Sequence, residues 1–155
     1  MLSDALETNP IALLAQMASI RIDLEAYGVR DNDGLAELLV AKLLDGRRNR
    51  ERSHRGFDLI APDYGRIEVH SRTLPRHRRA ETRITLQEPK RDRFDWLSVV
   101  IFTPSLDVFA AYMLPHDAAW QLADASKFSR IALSIGLRHP AVVDLTASLR
   151  ATRVA

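Results

Sequence analysis

Residues 57–73, FDLIAPDYGRIEVHSRT, constrain the fold of this chain more than any other stretch. Apolar and polar residues alternate on both sides of a Pro-Asp-Tyr-Gly sequence at positions 62–65. Turn-forming residues between two alternating runs are typical of a β-hairpin. The stretch therefore predicts two short antiparallel strands joined by a tight turn.

The register of this hairpin brings two acidic residues together. If the turn takes residues 62–64, Ala61 pairs with Gly65, and counting outward places Asp58 opposite Glu68. Two carboxylates in cross-strand positions repel each other unless a cation lies between them. Hard divalent cations such as Mg²⁺ prefer oxygen ligands from one or two carboxylates. The hairpin is therefore a candidate metal site.

The rest of the chain predicts helices before and after a set of strands. Residues 96–102, WLSVVIF, form the most apolar run, and their β-branched content predicts a central strand. An Asn-Pro pair at positions 9–10 predicts the start of an amphipathic first helix. The remaining elements are helices at 10–27, 34–46, 116–125 and 140–150, strands at 83–87 and 107–114, and a strand or helix at 130–135. The sequence therefore predicts an α/β (α+β) fold, a central mixed β-sheet with flanking helices.

Composition and length indicate one domain. The 155 residues are 46% apolar and 27% charged, which is ordinary for a globular protein with its own core. The absence of cysteine excludes disulfides, thiolate metal sites and a cysteine nucleophile. No apolar run is long enough to span a bilayer, and the first residues lack the pattern of a secretory signal. We therefore expect a cytoplasmic protein that does not contact a membrane.

Basic residues are concentrated in the middle third of the sequence. The net charge is only +2, but residues 47–93 carry fourteen basic and seven acidic side chains. Thirteen of the fourteen are arginines, and a guanidinium group binds phosphate in a bidentate manner. We therefore expect contact with DNA phosphates. The predicted nucleic-acid-binding residues are Arg47, Arg48, Arg50, Arg52, Arg55, Arg72, Arg76, Arg78 and Arg79.

Asp58, followed by Glu68-Val69-His70 after a turn and preceded by a helix bearing Glu37, resembles the PD-(D/E)XK nuclease superfamily. In that superfamily, which has the restriction-endonuclease-like fold, the motif lies on a bent hairpin after a helix whose glutamate often joins the site. The resemblance implies metal binding by Asp58, Glu68, Glu37 and the backbone carbonyl of Val69. It also implies Mg²⁺ or Mn²⁺ as the cofactor and hydrolysis of DNA phosphodiester bonds as the activity.

His70 departs from the pattern, because the superfamily normally has lysine at this position. The lysine orients the attacking water and offsets charge that develops at the phosphate, which suits a permanent cation. Histidine titrates near neutral pH and is instead suited to act as a general base. The resemblance thus assigns catalysis to Asp58, Glu68 and His70, with Arg72 on the same face as the nearest sequence candidate for the missing positive charge.

The resemblance also divides the chain. Residues 1–32 would form an N-terminal helical extension, residues 33–114 the nuclease-like core, and residues 115–155 a C-terminal helical part of the same single domain. We expect a bacterial protein. A chain of this size has little surface with which to encircle a duplex, so we also expect a homodimer that uses its first helix or its tail as the interface.

Two other interpretations fit the same residues. The first keeps the fold but drops catalysis, which leaves a degenerate nuclease that serves as a DNA-binding or assembly subunit. The second treats the protein as a structural or interaction protein, with Asp58 and Glu68 on a half-exposed hairpin neutralised by arginines and with the basic loops as a solubilising surface.

Overall fold

The computed structural model describes residues 9–49, 56–75 and 82–154. It confirms the predicted α/β class, because a central mixed sheet lies between flanking helices. The helices are α1 (Pro10–Ala26), α2 (Asn32–Leu44), α3 (His116–Asp124), α4 (Leu133–Arg138) and α5 (Thr146–Val154). The strands are β1 (Arg47–Arg48), β2 (Leu59–Ala61), β3 (Gly65–Thr73), β4 (Arg83–Thr85), β5 (Trp96–Phe102), β6 (Val108–Pro115), β7 (Arg130–Ala132) and β8 (Val143–Asp144).

The main sheet has the strand order β1-β2-β3-β5-β6-β8. Strand β5 lies at its centre, parallel to β3 and antiparallel to β6, as its apolar sequence predicts. Its side chains alternate between two cores. Val100 and Phe102 pack in the core that contains residues of α2 and α5, whereas Val99 and Ile101 pack in the core that contains residues of α3. The sheet therefore separates two apolar layers.

The predicted register of the β2–β3 hairpin is confirmed. Ala61 pairs with Gly65, and Leu59 pairs with Ile67. Gly65 adopts φ +74°, and a Cβ atom there would lie 2.6 Å from the carboxylate of Asp95. That carboxylate accepts hydrogen bonds from the backbone and side chain of Arg66. The turn thus needs glycine both for its backbone conformation and for its close contact with the next segment.

Side chains cap the first two helices at their N-termini. Asn9 accepts a hydrogen bond from the backbone N–H of Ile11, as the sequence predicts, and Asp31 accepts one from the backbone N–H of Gly34. Helix α2 ends at Leu44, two residues before its predicted end, and Asp45 follows in the left-handed conformation, with φ 55°. A short acidic residue tolerates this conformation better than most non-glycine residues.

Four sequence predictions are wrong in detail. The basic loop after α2 begins with strand β1, which pairs with β2. Strand β4 is shorter than expected and pairs with β7 in a separate sheet. The last helix begins at Thr146 instead of residue 140, because β8 first pairs with the edge strand β6. Finally, α1 has the predicted bounds within one residue but no buried face.

None of the helices in the described part of the chain is long and apolar enough to cross a membrane.

Candidate functional site

Asp58 lies directly before β2 and is fixed to the neighbouring strand at two points. Its backbone N–H donates to the carbonyl of Ile67 at 2.9 Å. Its Oδ2 atom accepts a hydrogen bond from the backbone N–H of Val69 at 2.7 Å. These two bonds bracket Glu68, so the hairpin register brings the two acidic residues into neighbouring positions, as the sequence predicts.

Glu68 is a buried acid in the middle of β3, and its side chain is 2% exposed. Its Oε1 atom contacts the Nζ atom of Lys90 and lies 3.2 Å from Nε2 of His70. Its Oε2 atom is buried and has no hydrogen-bond partner within the described residues. A buried carboxylate oxygen without a hydrogen-bond donor lowers the free energy of unfolding, so this atom is a candidate ligand for a group that the chain itself does not supply.

The environment of Asp58 raises the pKa of its carboxyl group to about 7. Burial is the largest cause, and the negative charge of Glu68 is the second. The N–H of Val69 and the ammonium group of Lys90 act in the opposite direction, and Glu37 adds to the increase. A negative charge on Asp58 is therefore unfavourable in this environment, and a cation bound between the two carboxyl groups would favour it.

Lys90 is the residue of this cluster that the sequence analysis missed. It ends a single 3₁₀ turn, Glu88–Lys90, far from the hairpin in sequence. Nothing in the spacing of the motif points to it, but one compositional signal does. It is the single lysine among the fourteen basic residues of the segment 47–93. Its ammonium group, not the guanidinium of Arg72, lies against Glu68.

The neighbour of Lys90 anchors this turn to α3. Arg91 forms a bidentate pair with Asp124, with N–O distances of 2.8 and 3.1 Å. It also pairs with Glu88 and stacks over the ring of Trp120 at 3.9 Å from the ring centre. A planar guanidinium with this many contacts loses little freedom per bond. The position of Lys90 beside Glu68 is thus held from the C-terminal part of the chain.

Glu37 is buried on α2, but its charge is compensated by an arginine. Its Oε2 atom accepts hydrogen bonds from Nε and Nη2 of Arg48 at 3.1 and 2.8 Å. Arg48 also donates to the carbonyls of Tyr27 and Gly28. In residues 9–49, 56–75 and 82–154, no group of three or more His, Asp or Glu side chains is arranged to hold a metal ion. The metal-ligand role of Glu37 stays a prediction.

The predicted DNA-binding arginines divide into three groups. Arg47 and Arg72 are exposed, and Arg72 donates a hydrogen bond to the carbonyl of Ser71 at 2.8 Å. Arg48 is mostly buried in its contacts with Glu37. The others lie outside the described residues: Arg50, Arg52, Arg55, Arg76, Arg78 and Arg79.

Two carboxylates, an ammonium group and an imidazole therefore meet beside one face of β3. No protein-family model matches this chain, and no curated protein is significantly similar to it. Chemically, the carboxyl groups of Asp58 and Glu68 offer hard oxygen ligands, Lys90 provides an ammonium group, and the imidazole of His70 can accept or donate a proton.

Proposed function

We propose that this chain is a metal-dependent, nuclease-like protein that hydrolyses DNA phosphodiester bonds. The observation that carries the proposal is the unpartnered, buried Oε2 atom of Glu68 next to Asp58. Lys90 contacts only the other oxygen of Glu68, so Oε2 and the Asp58 carboxyl group are the atoms that a bound divalent cation would engage. The PD-(D/E)XK resemblance, in which a hairpin with these acids follows a helix with a glutamate, supports the same chemistry.

The donor set fits a hard divalent cation. Asp58, Glu68 and the carbonyl of Val69 would hold Mg²⁺ or Mn²⁺, with water and phosphate oxygens as the remaining ligands. A bound divalent ion would supply Lewis-acid stabilisation of the phosphate and a more acidic water. The hydrogen bond from the Val69 N–H would orient Asp58 and partly oppose the rise in its pKa that burial causes.

Lys90 would provide the positive charge that His70 cannot provide permanently. Its Nζ atom contacts Glu68 Oε1, and its attraction also lowers the pKa of Asp58. An ammonium group on a flexible stem is a compact point charge, which suits an anionic phosphate better than a partly neutral imidazole does. Lys90 thus stands where it can offset the negative charge that develops during hydrolysis.

His70 would position and deprotonate the attacking water. Its Nε2 atom faces Glu68 Oε1 at 3.2 Å, and an Nε2–H donated to that carboxylate leaves Nδ1 as the acceptor. The water oxygen bonds to phosphorus as the bond from phosphorus to the leaving sugar oxygen breaks. The water proton passes to His70, and the leaving oxygen takes a proton from solvent.

DNA is the proposed substrate because the middle third of the sequence is rich in arginine. Its exposed arginines within the described residues are Arg47, Arg72, Arg83 and Arg93. Since one site cuts one strand, two sites in a homodimer would cut both strands of a duplex.

A degenerate, non-cleaving DNA-binding subunit is the second candidate. It is favoured by the pairing of Glu37 with Arg48, which engages the helix acid in an internal ion pair. The histidine in place of the motif lysine points in the same direction. This candidate retains the arginine surface and loses only the chemistry.

Plasmid cleavage in Mg²⁺ and in Mn²⁺ tests the proposal. We expect the wild-type chain to nick plasmid, and both Glu68→Gln and Lys90→Met to reduce the rate by roughly 100-fold or more, the usual effect of removing a group that stabilises transition-state charge. Lys127→Met is the matched control, because it removes an exposed lysine far from the site in sequence. Circular dichroism verifies that each variant is folded.

The outcomes separate the candidates. Cleavage that survives Glu68→Gln would refute the catalytic assignment. Absent cleavage together with salt-sensitive DNA binding would support the second candidate, because phosphate contacts release counterions. In that case His70→Lys is the decisive variant, since activity gained by restoring the motif lysine would identify a nuclease that has lost its chemistry.

A further inference from the structure

Helix α1 is an apolar helix that the rest of the chain leaves uncovered. None of its seventeen residues is buried against the described residues. Its large side chains remain between 40% and 74% exposed. These side chains are Ile11, Leu13, Leu14, Met17, Ile20, Ile22 and Leu24. A helix that is apolar on all sides normally lies inside a protein, so we expect another apolar surface to pack against α1.

An uncovered helix of this length is only marginally stable. Isolated helices shorter than about 15 residues barely form in water, and most helix stability in proteins comes from tertiary packing. The caps at Asn9 and Pro10 define where α1 begins, but they contribute only about 1 kcal/mol. A stable α1 therefore requires apolar contacts along its length.

The segments of this chain that the structure does not describe are poorly suited to cover α1. Residues 50–55 and 76–81 contain a single apolar residue, Ala80, among mostly charged side chains. Residues 1–8 are more apolar, but they carry three large apolar side chains, Met1, Leu2 and Leu6, against seven on α1. An intermolecular partner is therefore the better source of contacts.

The charges of α1 argue against nucleic acid and membrane as that partner. Residues 10–20 carry no charged side chain, and Arg21 is the single basic residue of the helix, with Asp23 and Glu25 close by. DNA and anionic lipid surfaces both need clustered basic residues. The partner must instead present an apolar protein surface with few charges.

A second copy of this chain presents such a surface. Leu13, Met17, Ile20 and Leu24 follow one face of α1 at spacings of four, three and four residues, and Leu14 lies beside them. From the exposures, these five side chains offer roughly 450 Å² per chain, so two copies would bury about 900 Å², close to the about 1,000 Å² that a specific interface needs. We propose that α1 packs against α1 of a second copy to form a homodimer.

The molar mass of the full chain in solution tests this proposal. Size-exclusion chromatography with light scattering at about 50 μM should give a dimer. Leu14→Glu should raise the dissociation constant at least about 100-fold, since it places a charge from each copy in the interface. Ile135→Glu is the matched control, because Ile135 is 52% exposed and Leu14 59% exposed, and this variant should remain dimeric.

Hydrogen exchange of residues 10–26 provides a second measurement that does not depend on how the helices cross. In the wild-type dimer these amides should exchange at least about 100-fold more slowly than in Leu14→Glu, because a lone helix frays and exchanges quickly. A monomeric wild-type chain, a dimer that Leu14→Glu leaves intact, or an unprotected α1 would each overturn the proposal. Both measurements are made without DNA, so such a result would not bear on the proposed cleavage activity.

Discussion

Replacing Asp58 by asparagine should stabilise the protein at alkaline pH. Burial and the charge of Glu68 raise the pKa of Asp58 from 3.8 to about 7. Between these values the folded state binds more protons than the unfolded state, so the free energy of unfolding falls as pH rises from about 4 to about 7. Asparagine carries no charge to desolvate, and its amide oxygen can still accept from the Val69 N–H.

The size of the effect follows from the shift in pKa. Relative to Asp58→Asn, the ionisation of Asp58 lowers the free energy of unfolding of the wild-type protein by about 2 kcal/mol at pH 5 and about 4 kcal/mol at pH 8. Urea unfolding of both proteins at the two pH values measures this difference in the free energy of unfolding. The control is Asp63→Asn, which changes an exposed residue of the turn. A gap that is the same at pH 5 and pH 8, or an Asp58→Asn variant that is less stable at both, would refute the reasoning.

Two further predictions concern the framework of the site. Glu37→Gln should lower the free energy of unfolding by about 2 kcal/mol in urea titrations, since it leaves the mostly buried Arg48 without its charge partner. The control Glu25→Gln changes an exposed residue and should alter the free energy of unfolding by less than about 0.5 kcal/mol. Ile101→Ala should lower the free energy of unfolding by about 2–5 kcal/mol, because this side chain is fully buried in the central strand. Thermal unfolding measures the loss, and the control variant Ile60→Ala, at a half-exposed position, should lose at most about 1 kcal/mol.

Local patterns in the sequence predicted the elements whose shape is set by near neighbours. The hairpin register follows from a four-residue turn, and the central position of β5 follows from its unbroken apolar run. The helix caps at Asn9 and Asp31 are equally local. The neighbouring positions of Asp58 and Glu68 were therefore predictable, because they depend only on counting from the turn.

Contacts between distant segments were not predictable in the same way. The contact of Lys90 with Glu68 joins residues 22 positions apart through the packing of a 3₁₀ turn, and no periodicity encodes it. The pairing of Arg48 with Glu37 was missed for the same reason, since an arginine in a basic run resembles a phosphate ligand. The exposure of α1 was missed because periodic apolar residues indicate a helix but not what covers it.

The anchoring of Arg91 on α3 limits how this protein can be divided. Asp124 and Trp120 supply no group to the candidate site, yet they fix the turn that carries Lys90. A fragment cut after residue 114 would keep both carboxylates and the histidine but lose the support of the ammonium group. Residues 33–114 are therefore not a self-sufficient module. Any graft of this site onto another scaffold would have to bring the helix behind it as well.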